Sequence, residues 1–83
     1  MTQAEDYALA GEIAQRIYSA EVNFTIRAFF DAGFEWEIWS EKAGDPGLDG
    51  VADTHLLAMC HMADAAAARY PDSELARWWK GRQ

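Results

Sequence analysis

The segment FTIRAFFDAGFEWEIWSE, Phe24 to Glu41, has the clearest secondary-structure pattern in this chain. It holds six of the eleven aromatic residues and four carboxylates within eighteen positions. Its apolar residues recur at every second position, which is typical of a strand with one buried face. They are Phe24, Ile26, Ala28 and Phe30, followed after a break by Phe34, Trp36 and Ile38. The pattern predicts an antiparallel β-hairpin whose turn lies at residues 31–33.

The turn sets the register of this hairpin. A two-residue turn at Ala32-Gly33 would pair Phe30 with Glu35 and mix apolar and charged side chains on one face. A three-residue loop with Gly33 in the left-handed conformation keeps the faces separate, so we expect that loop. The apolar pairs it predicts are Phe30 with Phe34, Ala28 with Trp36 and Ile26 with Ile38. On the outer face it predicts Arg27 opposite Glu37, Phe29 opposite Glu35 and Thr25 opposite Trp39.

Helical patterns flank the hairpin. Thr2 and Glu5 have the spacing of a capping box, and the apolar residues from Leu9 to Ile17 keep one face of a helix that ends near Ser19. After a loop that can hold a short third strand around residues 50–52, Asp53 or Thr54 begins a second helix. Its predicted buried stripe is Leu56, Met59, Cys60, Ala63, Ala66, Ala67 and Tyr70.

The residues after Tyr70 have the pattern of a short last helix. Pro71 stops the second helix, Asp72 can cap the next, and Gly81 can terminate it. Of the adjacent Trp78 and Trp79, one should enter the core, because neighbouring helical residues point about 100° apart. The expected fold is therefore a single α+β domain over residues 1–83: helix, hairpin, helix and short helix.

Composition limits the class of protein. Half of the 83 residues are apolar and a quarter are charged, which indicates a globular chain with one core. The single cysteine cannot form an intramolecular disulfide, and MTQAEDYALAGE lacks the basic start and apolar run of a signal peptide. No apolar run approaches the roughly 20 residues of a membrane span. We expect a cytoplasmic protein that does not bind membranes.

The net charge of −7 is unevenly distributed. Residues 1–64 contain twelve acids and three bases, whereas residues 65–83 contain two acids and four bases. From Asp31 to Asp53 the sequence contains seven acidic residues and a single basic one, Lys42. Such a surface repels phosphate backbones, so we expect no direct binding of nucleic acid and, if a charged partner exists, a cationic one.

The residues with catalytic or metal-binding chemistry form no recognisable motif. His55 and His61 would lie about 120° apart on a helix, and Cys60 points away from both. His55, Met59 and Met62 share a flank that could hold a soft metal, although a methionine-rich core edge explains them more simply. The loop of residues 41–53, which we call the acidic loop, is not a calcium-binding EF-hand, because Gly47 and Leu56 occupy positions where calcium ligands belong. We expect no enzyme activity, no metal and no cofactor.

The outer face of the hairpin and the acidic loop after it are the candidate protein-binding surface. Exposed aromatic residues would supply contact area, and the surrounding carboxylates would steer lysine and arginine toward it. The predicted residues are Arg27, Phe29, Asp31, Glu35, Glu37, Trp39, Glu41, Asp45 and Asp49. A solvated sheet face that serves only solubility is the alternative explanation.

The segments EVNFTIRAFF, GFEWEIW and YPDSELARWW, in a small acidic chain without a catalytic motif, resemble phage-encoded inhibitors of the anti-CRISPR type. That class shares no common fold, so the resemblance assigns no residue. It implies binding to a nucleic-acid-handling complex at a basic surface. The sequence thus leaves three hypotheses open: an inhibitor or adaptor of this kind, a homodimeric structural or assembly protein, and a minor enzyme or ligand-binding domain.

Overall fold

The computed structural model describes residues 2–42 and 44–82 and confirms an α+β fold. The elements follow in the order α1 (Gln3–Ser19), β1 (Asn23–Phe29), β2 (Gly33–Trp39), β3 (Leu48–Ala52), α2 (His55–Arg69) and α3 (Glu74–Arg82). No helix in these described ranges has the length and apolar character needed to cross a bilayer. The expected third strand is present, and it begins two residues before the position that the sequence suggested.

The three strands form an antiparallel sheet in the order β1-β2-β3. The strand β2 is therefore central, with β1 and β3 as the edges. Trp36 of β2 lies between Ile26 of β1 and Gly50 of β3. A side chain at Gly50 would come within 2.6 Å of the Trp36 ring, so the glycine makes room for the indole.

The predicted register of the hairpin is wrong by two residues. Ala28 pairs with Phe34 and Ile26 with Trp36, instead of with Trp36 and Ile38. The loop contains three residues, as expected, but they are residues 30–32 rather than 31–33. Gly33 has the expected left-handed conformation, at φ 85°, but it is the first residue of β2 rather than the last residue of the loop. There a Cβ atom would lie 2.6 Å from the carbonyl oxygen of Ala52, so the close approach of β3 excludes any side chain.

A shift of two residues preserves which face each side chain occupies, but it moves the ends of the strands. The expected outer-face pairs are replaced by Arg27 with Glu35 and Thr25 with Glu37. Phe29 lies opposite Gly33. Phe30, which we expected in the core, belongs to the loop and is fully exposed.

The first two helices begin where the sequence predicted. Thr2 and Glu5 form the complete capping box of α1, and Thr54 caps α2 by accepting a hydrogen bond from the backbone N–H of Leu57 at 3.1 Å. In α2, Ala58 and Met62 are fully buried, whereas Leu56, Cys60 and Tyr70 of the predicted stripe are only partly buried. The buried face is therefore turned slightly from the one that we predicted.

Two predictions about α3 are wrong. Ser73, rather than Asp72, caps the helix, because its Oγ accepts the backbone N–H of Ala76 at 3.1 Å. Gly81 lies inside the helix, which continues to Arg82. The expected division of the two tryptophans is confirmed: Trp79 is buried, and Trp78 is half-buried between the guanidinium groups of Arg16 and Arg82.

The helices cover one face of the sheet and the core lies between the two layers. The helix α2 packs on β2 and β3, while α1 and α3 pack against α2. Trp36 and Ile38 are the strand residues at the centre of this core, and Ile13, Met59 and Leu75 are buried members of it in the helical layer. None of the three described helices packs on the other face of the sheet, which carries the candidate site.

Candidate protein-binding surface

The uncovered face of the sheet displays two cross-strand rows of side chains around a shallow groove. One row contains Arg27, Glu35 and Val51, and the other contains Thr25, Glu37 and Asp49. We call these six residues the acidic sheet face. The alternation of the hairpin explains the β1 and β2 positions, and the pairing of β3 with β2 adds Asp49 and Val51.

Arg27 and Glu35 neutralise each other. They are direct cross-strand partners, and the guanidinium group of Arg27 forms an ion pair with the carboxylate of Glu35. The same guanidinium lies 5.5 Å from the centroid of the Phe29 ring. Glu35 therefore contributes little net charge to the acidic sheet face, although the sequence placed it among the steering carboxylates.

Glu37 and Asp49 form the charged centre of the face. They are cross-strand partners, and both are exposed. Within residues 2–42 and 44–82, neither forms an ion pair or a hydrogen bond through its side chain. Like charges directly opposite each other destabilise a sheet. Folding alone therefore does not favour this pair, whereas a cationic partner would.

Apolar surface adjoins these carboxylates. Val51 is 60% exposed and Phe29 is 42% exposed. Phe29 was among the predicted binding residues but Val51 was not, because the sequence predicted a possible short strand around residues 50–52 without predicting which strand it pairs with. Once β3 is known to pair with β2, the shared parity of Asp49 and Val51 identifies both as outward-facing.

Trp39 is less accessible than the sequence suggested. It lies on the outer parity at the end of β2, but it is half-buried. Gly47, at φ 72°, brings the acidic loop back along the strand, where a Cβ atom would lie 3.4 Å from that of Trp39. Trp39 therefore offers less contact area to a partner than a fully exposed indole would.

Asp45 does not join the surface on which we placed it. Its side chain is only 6% exposed. It accepts backbone N–H groups of Ser40 at 2.8 Å and Gly47 at 2.9 Å, the guanidinium of Arg69 at 3.2 Å, and the Tyr70 hydroxyl. The carboxylate thus fastens the loop between β2 and β3 to the end of α2.

These contacts shift two pKa values. The hydrogen bonds from the Tyr70 hydroxyl and the Gly47 N–H are the main causes that hold the pKa of Asp45 below its usual 3.8. Burial, together with the bond to Asp45, raises the pKa of Tyr70 to about 12. Asp45 is therefore ionised and Tyr70 protonated at neutral pH, as a structural hydrogen bond between them requires.

The remaining predicted residues lie at the margins. Asp31 is exposed in the hairpin loop. Glu41 follows β2 and accepts a hydrogen bond from the side-chain amide of Asn23 at 2.9 Å. Of the nine predicted residues, the structure brings four together in the acidic sheet face, namely Arg27, Glu35, Glu37 and Asp49, with Phe29 beside them.

The side chains that we examined as metal ligands have other roles. Within residues 2–42 and 44–82 no cluster of three potential ligands occurs. The ring of His55 packs edge-on against Phe34 at 5.8 Å, and that of His61 against Trp36 at 6.5 Å. Met59 and Met62 are buried in the core. Burial and the nearby Asp64 carboxylate raise the pKa of the Cys60 thiol, which lowers its nucleophilicity.

Neither a protein-family model, nor a curated protein, nor a solved structure is detectably similar to this chain.

Proposed function

We propose that this chain is a non-catalytic protein-binding module whose acidic sheet face docks on a basic surface of another protein. Its partner would be a nucleic-acid-handling complex of the CRISPR effector type, and the chain would act as an inhibitor of the anti-CRISPR kind. By covering a surface that otherwise holds phosphates, it would compete with nucleic acid for that surface. The resemblance of the sequence to such inhibitors and its charge both support this proposal.

The observation that carries the proposal is the Glu37–Asp49 couple, which among residues 2–42 and 44–82 has no ion-pair partner and lies on a sheet face that none of the described helices covers. A solvated face would be more stable with a base opposite one of the two acids, as Arg27 lies opposite Glu35. Lysine or arginine from a partner would remove this repulsion on docking. The gain on binding is therefore larger than for two separate carboxylates.

The apolar residues beside the carboxylates provide contact area that would hold a partner after the charges have attracted it. Exposed charges speed the encounter of two proteins more than they hold the complex together. Val51 and the partly exposed Phe29 offer contact area that can be desolvated beside the charges. The shallow groove on this face is lined by Glu37, Asp49 and Val51 among others, so a basic side chain that enters it would meet carboxylates and apolar surface together.

The proposal is tested by inhibition of nucleic-acid binding. Purified CRISPR effector complexes loaded with guide RNA are mixed with the chain, and binding of target DNA is measured by gel shift. We expect at least one complex to lose DNA binding in the presence of the wild-type chain. The double variant Glu37→Gln, Asp49→Asn should inhibit that complex about tenfold more weakly.

A matched control carries the same change in net charge elsewhere. Asp72→Asn with Glu74→Gln removes two exposed carboxylates, one just before α3 and one in its first turn, that do not belong to the acidic sheet face. This control should inhibit like the wild type. Equal losses in both variants would show that only net charge matters, and an absence of inhibition across the complexes would contradict the proposed partner class.

A further inference from the structure

The edge strand β1 has the features of a pairing surface. It is seven residues long, and in the described residues its backbone pairs with β2 only. It contains one charged residue, Arg27, and no proline or bulge that would prevent another strand from adding to it. Edge strands of this kind pair with other chains unless such features protect them.

The side chains of β1 on the helical side are incompletely covered. Phe24 and Ile26 are half-buried, and Ala28 is exposed. Their counterparts on the central strand, Trp36 and Ile38, are buried. The core between sheet and helices is therefore open at the β1 edge, and a further strand there would close it.

The geometry points to a second copy of this chain as the occupant. We propose a symmetric dimer in which the two β1 strands pair antiparallel about Ile26 and form a continuous six-stranded sheet. This register pairs all seven residues of the strand. On the helical side it places Ile26 against its own copy and Phe24 against Ala28, a large side chain against a small one.

Neighbouring registers are less favourable. A symmetric pairing about Arg27 would place the two guanidinium groups opposite each other, which is repulsive. A pairing about Thr25 would leave Ala28 and Phe29 outside the paired region. A shift by a single residue would turn the apolar side chains of one copy toward the acidic face of the other.

The exposed Phe30 supplies an independent observation. The register about Ile26, continued by one residue, brings Phe30 next to Val22 of the second copy. Val22 lies beside a surface groove lined by residues that include Tyr18, Glu21, Asn23, Glu41 and Tyr70. A fully exposed aromatic ring in one copy thus reaches a groove in the other, and the symmetry forms this contact twice.

This dimer is separate from the proposed function. It uses an edge and leaves both acidic sheet faces open, so each proposal can fail without the other. Their responses to salt are opposite. Each copy carries a net charge of −7, so salt should strengthen the dimer by screening repulsion and should weaken docking on a basic partner.

Sedimentation equilibrium of the full chain tests the dimer. We expect a concentration-dependent species of twice the 9.3 kDa monomer mass. Ala28→Lys places a charge on the helical side of the edge strand and should weaken dimerisation by about tenfold or more. Phe30→Ala should also weaken it without altering urea unfolding of the monomer, since the ring is already exposed. Val51→Lys, on the opposite edge strand, is the control and should leave dimerisation unchanged.

Cross-linking tests the register. In a Cys60→Ser background, Ile26→Cys should form an intermolecular disulfide on mild oxidation, because residue 26 faces its own copy. Val51→Cys, treated in the same way, should not. A monomer at every concentration that the protein tolerates would overturn the proposal. So would a dimer that Ala28→Lys and Phe30→Ala leave intact, because that dimer would use another surface.

Discussion

Replacing Trp36 tests the account of the core. The indole is 7% exposed, lies over Gly50 and contacts the ring of His61. Truncation of such a residue to alanine typically costs about 3–5 kcal/mol, because the cavity left behind cannot close. Among the described residues, its Nε1–H is buried without a hydrogen-bond partner. Removing an unsatisfied donor recovers part of its desolvation cost of about 1–3 kcal/mol.

We therefore expect Trp36→Ala to lower the free energy of unfolding by about 3 kcal/mol, at the lower end of that range. A chain of this size has a total stability of roughly 4–12 kcal/mol, so the variant should be marginally folded. Trp36→Phe separates the two effects. It keeps most of the ring and removes the orphan N–H, so it should cost less than about 1.5 kcal/mol.

Urea unfolding followed by far-ultraviolet circular dichroism is the appropriate assay, because tryptophan fluorescence would itself be altered. Trp39→Ala is the matched control: the same substitution, three residues along β2, on the outer face. It should cost clearly less than Trp36→Ala, because Trp39 is only half-buried. A larger loss for Trp39→Ala would mean that the inner and outer faces of the sheet have been assigned the wrong way round.

Three further predictions follow from the packing and the pKa values. Gly50→Ala should destabilise the fold by about 1–3 kcal/mol in urea, because its Cβ would overlap the Trp36 ring; unchanged stability would contradict that contact. Asp45→Asn should lower the urea midpoint at pH 7. The pKa of Asp45 is depressed in the folded state, so the stabilisation by its carboxylate is present above pH 3.8 and is lost as the pH falls through the folded pKa. The difference in urea midpoint between wild type and Asp45→Asn should therefore shrink at low pH. A difference that stays constant with pH would contradict a stabilising role for the ionised Asp45. Cys60 should react with iodoacetamide at pH 8 more slowly than a free thiol, and urea should remove the difference; equal rates in the native protein would argue against the raised pKa.

The sequence predicted which side of β1 and of β2 faces the core, because the period of two in the hairpin is unambiguous. It did not predict the register, since a shift of two residues preserves every inner and outer assignment. In the observed register Gly33 begins β2 and closely approaches the backbone of Ala52, nineteen positions later in the chain. That is a tertiary contact, and the alternation within the hairpin carries no information about it.

The charge of the candidate surface was predictable in total but not in distribution. Asp45 and Asp49 look alike in the sequence, within one acidic loop. The structure buries the first against Arg69 and Tyr70 and exposes the second beside Glu37. The difference arises from where the end of α2 meets the loop. The sequence positions of Asp45 and Asp49 alone could not predict this difference in burial.

The role of Glu37 and Asp49 in docking is tested by the salt dependence of association. The wild-type chain, the Glu37→Gln, Asp49→Asn variant and the Asp72→Asn, Glu74→Gln control are passed over an immobilised effector complex that the wild type inhibits, at low and high salt. We predict that the wild type and the control associate faster at low salt and slow markedly as salt rises. The Glu37, Asp49 variant should associate slowly at both concentrations, with little change in dissociation rate. If that variant binds as fast as the wild type at low salt, the acidic sheet face is ordinary solvated surface and the docking site lies elsewhere.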